Sequence, residues 1–445
     1  MRARSGFQHP GQVLAVSFLG AIAVGSVLLS LPVATVSGEP AAMLDAVFTA
    51  ASAVCVTGLV TVDTGSYWSL FGQLVILALI QIGGLGVMTL GTLLVVLVSR
   101  RLGLRARLIA QAQARTLSLA DVRRVIRNVT LFSLASELVL AVVLTGRFAV
   151  GYAMPPATAA YFGVFHSISA FNNAGFGLHA DSLVRYVADP WIMLTVAAAV
   201  ILGGLGFPVV FELARAWRRP RTWSVTTRIT LTATVALLVV ATVAFLLIER
   251  DNPATLGALP PQTKLLAGFF TGVMPRTAGF NAIDIAAMRP ESWLLTDMLM
   301  FIGGGSAGTA GGIKVTTFGL LAFVLWAEMR GEPGVDVGPR RIPASNQREA
   351  LAVALLGISL VALATFTLLA ETDHSLDLVL FEAVSALGTV GLSTGITAGL
   401  PDAGKILLIA LMFLGRLGPL TLASALALRQ RTHLYERPEE RTIVG

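Results

Sequence analysis

The segment FTAASAVCVTGL, residues 48–59, decides the fold of this chain because three other segments align with it without gaps. They are FHSISAFNNAGF at 165–176, FFTGVMPRTAGF at 269–280 and FEAVSALGTVGL at 381–392. In each segment a Phe stands ten residues before a Gly, and a Leu or Phe follows that Gly. Three of them also place Ser-Ala six and five residues before the Gly, whereas the third has Val273-Met274 there. This register, met four times in one chain, predicts four copies of one structural unit.

The sequence around these segments is strongly apolar. Of the 445 residues, 55% are hydrophobic and only 13% are charged, and the mean hydropathy is +0.79. Soluble globular proteins carry about 25% charged residues, so most of this surface is not expected to face water. A run long enough to cross a bilayer, about 20 residues, precedes each segment and another follows it. The preceding runs cover about 12–32, 128–149, 229–249 and 349–370, and the following runs about 68–98, 191–214, 292–325 and 404–428.

Each aligned segment is itself too short and too polar to span a membrane, so it is interpreted as a half-crossing helix followed by a turn. The predicted fold is an all-α integral membrane protein with four tandem units around a central pore. Each unit consists of a membrane helix, a pore helix, a filter loop and a second membrane helix, which gives eight full spans. The predicted domains are repeat 1 (1–98), repeat 2 with a preceding cytoplasmic linker (99–214), repeat 3 (215–325), repeat 4 (326–428) and a cytoplasmic C-terminal tail (429–445).

The net charge of +7 is explained by topology rather than by nucleic-acid binding, which is not expected. Arg-rich segments lie at 99–127, 215–228, 326–348 and 429–445, as cytoplasmic loops do under the positive-inside rule. Both termini are therefore predicted to be cytoplasmic, and the basic segments would also contact anionic membrane lipid. The N-terminal apolar run is interpreted as the first helix of repeat 1 and not as a signal peptide.

The four glycines suit an ion filter, in which backbone carbonyls replace the hydration shell of the ion. Gly tolerates positive φ and carries no side chain into the lumen. Non-helical backbone at membrane depth is tolerated where it lines a water-filled path or is buried in protein. The alternative for any single Gly is close helix packing. The predicted ion-binding carbonyls belong to Val56, Thr57, Gly58, Asn173, Ala174, Gly175, Thr277, Ala278, Gly279, Thr389, Val390 and Gly391.

Three acidic residues follow the filter glycines closely. Asp63 and Asp284 lie five residues after their glycines, and Asp181 lies six after its own. They are predicted to form an outer vestibule that concentrates cations; ordinary outer-loop acids are the equally favoured alternative. Potassium at the filter is the only metal ion that this interpretation includes.

The second helix of repeat 3 contains a Gly-rich stretch in which six of the ten residues 303–312 are Gly. Each Gly costs about 1 kcal/mol relative to Ala within a helix, so an irregular intramembrane loop at 303–314 is predicted. This loop is interpreted as a gate below the filter, and not as a phosphate-binding loop, because the required spacing is missing. The predicted gate residues are Gly303, Gly304, Gly305, Ser306, Ala307, Gly308, Thr309, Ala310, Gly311, Gly312 and Lys314.

Arg416 lies in the otherwise apolar second helix of repeat 4. A charge inside the membrane is costly and is treated as functional by default. Facing the pore, Arg416 would form part of the gate as a barrier to cations. The alternative is a buried residue that binds a loop carbonyl or an acid.

The four turn segments and the Gly-rich loop carry a family resemblance. The VTGL, NNAGF, TAGF and TVGL motifs are specific, and the chain resembles the Trk/Ktr/HKT superfamily of potassium transporters over essentially its full length. Within it, the chain is most similar to the KtrB membrane subunit of bacterial Ktr systems. TrkH-type subunits, the alternative within the superfamily, usually have two additional N-terminal spans.

The resemblance implies potassium uptake across the bacterial cytoplasmic (inner) membrane by a multi-pass protein. It implies a homodimer with one pore per protomer, seated on a cytosolic ring of RCK-domain subunits (KtrA-like) that controls the gate. Nucleotide is expected on that partner and no cofactor in this chain, and many Ktr systems are stimulated by sodium. A Ser in place of the first filter Gly marks sodium-permeable plant relatives, so Gly58 favours potassium.

Two other classes of function compete with this one. A coupled sodium/potassium secondary transporter would also have broken helices at mid-membrane, although four repeats in parallel favour a central pore. A membrane-embedded enzyme is not expected, since the five His residues show no metal-ligand spacing and no nucleophile–base set stands out. No catalytic residue is therefore predicted.

Overall fold

A computed structural model describes residues 10–101, 119–337 and 340–428. The predicted C-terminal tail, 429–445, and most of the Arg-rich segment between the first two repeats lie outside the described residues. The helices are α1 (Pro10–Leu29), α2 (Met43–Cys55), α3 (Thr64–Tyr67), α4 (Leu70–Arg101), α5 (Leu119–Gly151), α6 (Pro156–Phe171), α7 (Pro190–Leu205), α8 (Phe207–Ala216), α9 (Val225–Ile248), α10 (Pro261–Val273), α11 (Pro290–Phe301), α12 (Val315–Met329), α13 (Ala344–Glu371), α14 (Leu376–Gly388) and α15 (Asp402–Leu428).

The described residues contain one short sheet. Strands β1 (Asp336–Val337) and β2 (Arg340–Arg341) pair antiparallel, with Asp336 opposite Arg341. This hairpin lies between α12 and α13, in a segment predicted to be cytoplasmic. Apart from this hairpin, the regular elements of the described residues are helices.

Each of the four aligned segments begins as a short helix: α2, α6, α10 and α14 end three to six residues before the filter Gly. The motif Phe is fully buried in three of them, as Phe48, Phe165 and Phe381. In repeat 3 the motif residue Phe269 is only partly buried, and its neighbour Phe270 is buried instead. The short helices are thus anchored in the core through an aromatic side chain.

The four short helices are arranged cyclically. Each one packs on the second helix of the preceding repeat: α6 on α4, α10 on α7, and α14 on α11. The circle closes because α2, from repeat 1, packs on α15, from repeat 4. This arrangement places the C-terminal ends of all four short helices around one axis.

Four described helices are long and apolar enough to cross a membrane by themselves: Leu70–Thr89, Arg123–Gly151, Val225–Ile248 and Ala344–Glu371. A fifth span is obtained if α7 and α8, which meet at an angle of 99°, are counted as one. Eight full spans stay a prediction.

Two of the second helices are interrupted. The break between α7 and α8 lies at Gly206, whose φ of +89° is one that L side chains rarely adopt. In repeat 3, α11 ends at Phe301 and α12 begins at Val315, and the residues between them form an irregular loop. The apolar run 191–214, interpreted as the second membrane helix of repeat 2, is thus divided in two, because Gly206 and Pro208 end one helix and start another.

Candidate functional site

The four turns that follow the short helices, called filter turns here after their predicted role, share one backbone conformation. The residue two positions before each Gly is left-handed although it is not Gly: φ is +56° at Val56, +59° at Asn173, +66° at Thr277 and +50° at Thr389. The Gly that follows also has positive φ in every repeat. A left-handed residue with a side chain costs about 1–2 kcal/mol, so such a residue in all four turns indicates a conformation that the surroundings impose.

The Ser of the Ser-Ala motif binds the turn that follows it. Ser52 Oγ accepts a hydrogen bond from the Gly58 amide at 3.0 Å, and Ser385 Oγ accepts one from the Gly391 amide at 3.2 Å. In repeat 2 the hydroxyl of Ser169 instead donates to the Phe176 carbonyl at 2.8 Å. The motif is explained by this contact, because a short hydroxyl side chain can satisfy backbone groups of a non-helical turn.

The four glycines form a closed ring in chain order. A Cβ added to Gly58 would lie 2.4 Å from the Ala174 carbonyl oxygen and 3.0 Å from Gly175 Cα. A Cβ on Gly175 would lie 3.0 Å from Gly279 Cα, and one on Gly279 would lie 3.2 Å from Gly391 Cα. A Cβ on Gly391 would lie 2.1 Å from the Thr57 carbonyl oxygen, which closes the circle. Only Gly fits where four backbones approach this closely.

A cavity of about 390 Å³ opens on one side of this ring, and the four glycines are among its lining residues. Asp63 and Asp284 line it, as does His179. Asp181 is not among the lining residues. The Asp181 carboxylate is bound by Arg185, with 2.7 Å between Nη2 and Oδ1. Of the three predicted vestibule acids, two therefore line the cavity, and Asp181 does not.

The ion pair between Asp181 and Arg185 leaves Asp63 and Asp284 as the acidic residues that line the cavity. Burial alone would raise the pKa of Asp181, but the hydrogen bonds and charge of Arg185 outweigh it and hold the pKa below its ordinary value. Burial lowers the pKa of His179, and the nearby Arg185 lowers it further. His179, which hydrogen-bonds the Tyr186 hydroxyl at 3.0 Å, is therefore neutral at neutral pH. Asp63 and Asp284 face the cavity without a cation among its lining residues.

On the other side of the ring, the loop between α11 and α12 lies directly against the filter turns. The Thr309 hydroxyl donates to Asn173 Oδ1 at 2.9 Å. A Cβ added to Gly311 would lie only 1.9 Å from Thr389 Oγ1, so the loop backbone is in close contact with repeat 4 as well. Thr309 and Gly311 thus connect the loop to two of the four turns.

The loop is also held by the broken helix of repeat 2. The amide of Gly305 donates to the Gly204 carbonyl at 2.7 Å, and the amide of Thr309 donates to the Gly203 carbonyl at 3.1 Å. A Cβ on Gly206 would lie 2.3 Å from the Ser306 carbonyl oxygen. The break between α7 and α8 therefore provides the seat on which the loop docks.

Two cations lie within this region. Lys314 Nζ donates to the Ala310 carbonyl. Arg416, 3% exposed, donates through Nη1 to the Thr309 carbonyl and through Nη2 to the Gly83 carbonyl at 3.5 Å. Arg416 thus links α15, the loop of repeat 3 and α4, whereas Lys314 is itself the last residue of the predicted gate loop 303–314.

Comparison with known proteins identifies the family of this fold. The family model described as "Cation transport protein", TrkH, matches residues 14–433. The chain belongs to the TrkH family. It is 41% identical over 425 residues to the Ktr system potassium uptake protein B of Bacillus subtilis, a match that covers 96% of this chain and 94% of the relative. It is 40% identical to the protein of the same name from Vibrio alginolyticus, over 98% of this chain and 94% of the relative.

One further relative and one solved structure are also similar to this chain. The potassium/sodium uptake protein NtpJ of Enterococcus hirae is 34% identical over 98% of this chain and 97% of its own length. The crystal structure of the potassium transporter TrkH from Vibrio parahaemolyticus matches with a TM-score of 0.72 at 18% identity, covering 97% of this chain and 87% of that one. The structural match supports the fold alone, whereas the three sequence relatives are named as uptake proteins.

A buried polar cluster behind the repeat 2 filter was missed by the sequence analysis. The Glu137 carboxylate, 5% exposed, accepts hydrogen bonds from Gln81 Nε2 at 3.1 Å and from Asn172 Nδ2 at 3.1 Å. Asn172 directly precedes the filter residue Asn173. The available signal was a lone acid in an apolar run, which within a TrkH-family membrane helix indicates function or a buried partner.

A second buried carboxylate, that of Glu382, binds the segment after the turn of repeat 4. This fully buried residue of α14 accepts hydrogen bonds from the Ser393 hydroxyl, from the Thr394 amide at 3.1 Å and from the Thr397 hydroxyl at 2.9 Å. Those three donors follow the filter residue Gly391. A buried carboxylate with several donors holds a loop in one conformation, so Glu382 fixes the outer mouth of the fourth turn.

Proposed function

We propose that this chain takes up potassium across the bacterial cytoplasmic membrane through a pore lined by the four filter turns. The observation that carries the proposal is the ring formed by Gly58, Gly175, Gly279 and Gly391, in which four equivalent turns approach one axis in chain order. A single re-entrant turn is common to many transporters, whereas four turns around one axis make a ring of carbonyls. Relatives that are 40% and 41% identical over almost the whole chain are named potassium uptake proteins.

The ion would be bound by the predicted filter carbonyls, which replace its hydration shell. The C-terminal ends of α2, α6, α10 and α14 precede the turns, and their partial negative charge favours a cation on the axis. The buried hydroxyls of Thr277 and Thr389 have no hydrogen-bond partner among the described residues. In this proposal they provide further oxygen ligands where the filter meets the loop.

The remaining parts of the proposal concern architecture and control. The four repeats would supply eight spans, with both termini in the cytoplasm and the domain boundaries given above. The loop 303–314, together with Arg416, would close the pore below the filter. The functional unit would be a homodimer on a cytosolic ring of RCK-domain subunits that carry the regulatory nucleotide. The names of two relatives, protein B of a Ktr system, support a multi-component assembly.

Growth rescue tests the proposed function. A bacterial strain that lacks its own potassium uptake systems is expected to grow at low external potassium when it expresses this chain. Uptake should rise further with a co-expressed RCK-type regulatory subunit. The measurement is growth rate and net potassium uptake at a series of potassium concentrations, with empty vector as the control. Absence of growth and uptake in every combination, with the protein present in the membrane, would contradict the proposal.

Coupled uptake of sodium with potassium is a second candidate function. It is favoured by the 34% identity over 98% of this chain to a relative named potassium/sodium uptake protein. The same uptake experiment separates the two functions, because coupled transport requires sodium to enter the cell with potassium in a constant ratio. A sodium effect on potassium uptake without sodium entry would favour stimulation of a pore instead.

A further inference from the structure

The Asn173 side chain sets repeat 2 apart from the other three filter turns. The corresponding left-handed residue is Val56 in repeat 1, and the hydroxyls of Thr277 and Thr389 have no partner among the described residues. Asn173 is only 1% exposed; its Oδ1 accepts from the Thr309 hydroxyl at 2.9 Å and its Nδ2 donates to the Arg276 carbonyl at 3.4 Å. Of the described left-handed filter residues, Asn173 alone has its side chain hydrogen-bonded to the loop.

Thr309 uses all its polar groups at this position. Its amide donates to the Gly203 carbonyl at 3.1 Å, its carbonyl accepts from Arg416 Nη1, and its hydroxyl donates to Asn173. The residue is fully buried. A displacement of the loop toward the cytoplasm breaks the contact with Asn173, because Asn173 belongs to the filter turn and not to the loop.

We infer that the hydrogen bond between the Thr309 hydroxyl and Asn173 Oδ1 is a latch that holds the loop under the filter. The inference rests on the proposed function, in which the loop closes the pore. A contact that exists in one position of the loop and not in the other shifts the equilibrium between them by its own free energy. Thr309 is therefore a positioning residue for the gate, and Asn173 is its receptor in the filter.

The test measures uptake by the chain expressed without a regulatory subunit. Thr309→Val removes the hydroxyl with little change in volume, and it is expected to raise potassium uptake about 3- to 10-fold, the equilibrium shift that corresponds to one net hydrogen bond. Thr309→Ser keeps the hydroxyl and is expected to stay within about twofold of the wild type. A merely structural role would lower uptake and membrane abundance in Thr309→Val, and would not raise uptake.

Thr365→Val is the matched control. Thr365 lies on α13, is 6% exposed, and its hydroxyl has no partner among the described residues. The substitution makes the same chemical change at a buried site away from the latch, so uptake should be unchanged. Membrane abundance, measured by immunoblot, normalises uptake for every variant.

Asn173→Gly approaches the latch from the filter side. Gly adopts the φ of +59° at this position without strain, and the substitution removes the acceptor. It is expected to raise basal uptake by the same factor, and the double variant with Thr309→Val should show no further increase, because both changes remove one interaction. This variant decides the question if Thr309→Val does not reach the membrane.

Two results would overturn the inference: wild-type uptake in Thr309→Val and Asn173→Gly at normal abundance, or additive increases in the double variant. Failure of the proposed function has a different signature. In that case the wild-type chain would take up no potassium even with the regulatory subunit, whereas failure of the latch alone leaves wild-type uptake intact.

Discussion

Replacement of Gly391 by alanine is expected to reduce potassium uptake at least about 100-fold. The added Cβ would lie 2.1 Å from the Thr57 carbonyl oxygen and 3.0 Å from Gly58 Cα, so it overlaps one of the proposed ion ligands and a backbone that has no room to move. The φ of +91° at Gly391 adds a conformational cost of about 1–3 kcal/mol for a residue with a side chain. Uptake by the variant in the potassium-uptake-deficient strain is the measurement.

Gly395 offers a matched control for this substitution. Its φ is +95°, almost the same as that of Gly391, but an added Cβ would meet nothing within 4 Å. Gly395→Ala therefore has a similar backbone cost without entering the ring, and it is expected to retain most of the uptake. Equal losses in the two variants would mean that backbone strain alone is responsible, and would count against a role of the glycine ring in conduction.

The four filter turns could be predicted from the sequence because their register is local. Phe, Ser-Ala and Gly recur at fixed distances, and in three repeats the Ser bonds the turn of its own segment. The Ser52–Gly58 and Ser385–Gly391 hydrogen bonds join residues six apart in the chain. The left-handed residue two positions before Gly could not be predicted, since Val56 and Thr389 have no intrinsic preference for that conformation.

The contacts of the loop could not be predicted, because they join residues far apart in sequence. A Gly-rich stretch indicates irregular backbone, but it does not reveal what that backbone touches. Thr309 lies 136 residues from Asn173 and 107 from Arg416. The second interruption, at Gly206, was missed although the Gly-Phe-Pro sequence marks a helix boundary, because the apolar run continues through it without a change in composition.

Trp68 shows how an interfacial pattern can mislead. Trp68, Trp191 and Trp293 all stand near the beginning of a second helix, which is typical of an aromatic belt at the membrane surface. Trp191 is exposed, but Trp68 is fully buried and contacts Tyr67 edge to face at 4.9 Å. Trp68 lies before α4 rather than on it and pairs with Thr35, so its burial follows from contacts within its own repeat that the sequence pattern does not show.

Removal of the Arg416 charge is expected to raise uptake by the chain alone by at least about tenfold. A unit charge about 7 Å from a cation costs roughly 2 kcal/mol at an effective dielectric constant near 20. Arg416 is also bound to the loop through the Thr309 carbonyl and to α4 through the Gly83 carbonyl. Its side chain can therefore oppose ions by its charge, hold the loop by its hydrogen bonds, or do both.

Two substitutions at this position separate charge from anchorage. Arg416→Gln removes the charge and keeps an amide donor, whereas Arg416→Lys keeps the charge and loses the forked geometry that reaches two carbonyls. If the charge is the barrier, uptake rises in Arg416→Gln and stays near the wild-type rate in Arg416→Lys. If anchorage of the loop dominates, uptake rises in Arg416→Lys as well. Adding Thr309→Val to Arg416→Lys then raises uptake by a smaller factor than Thr309→Val does in the wild-type chain. Wild-type uptake in both single variants, at normal membrane abundance, would exclude Arg416 from the gate.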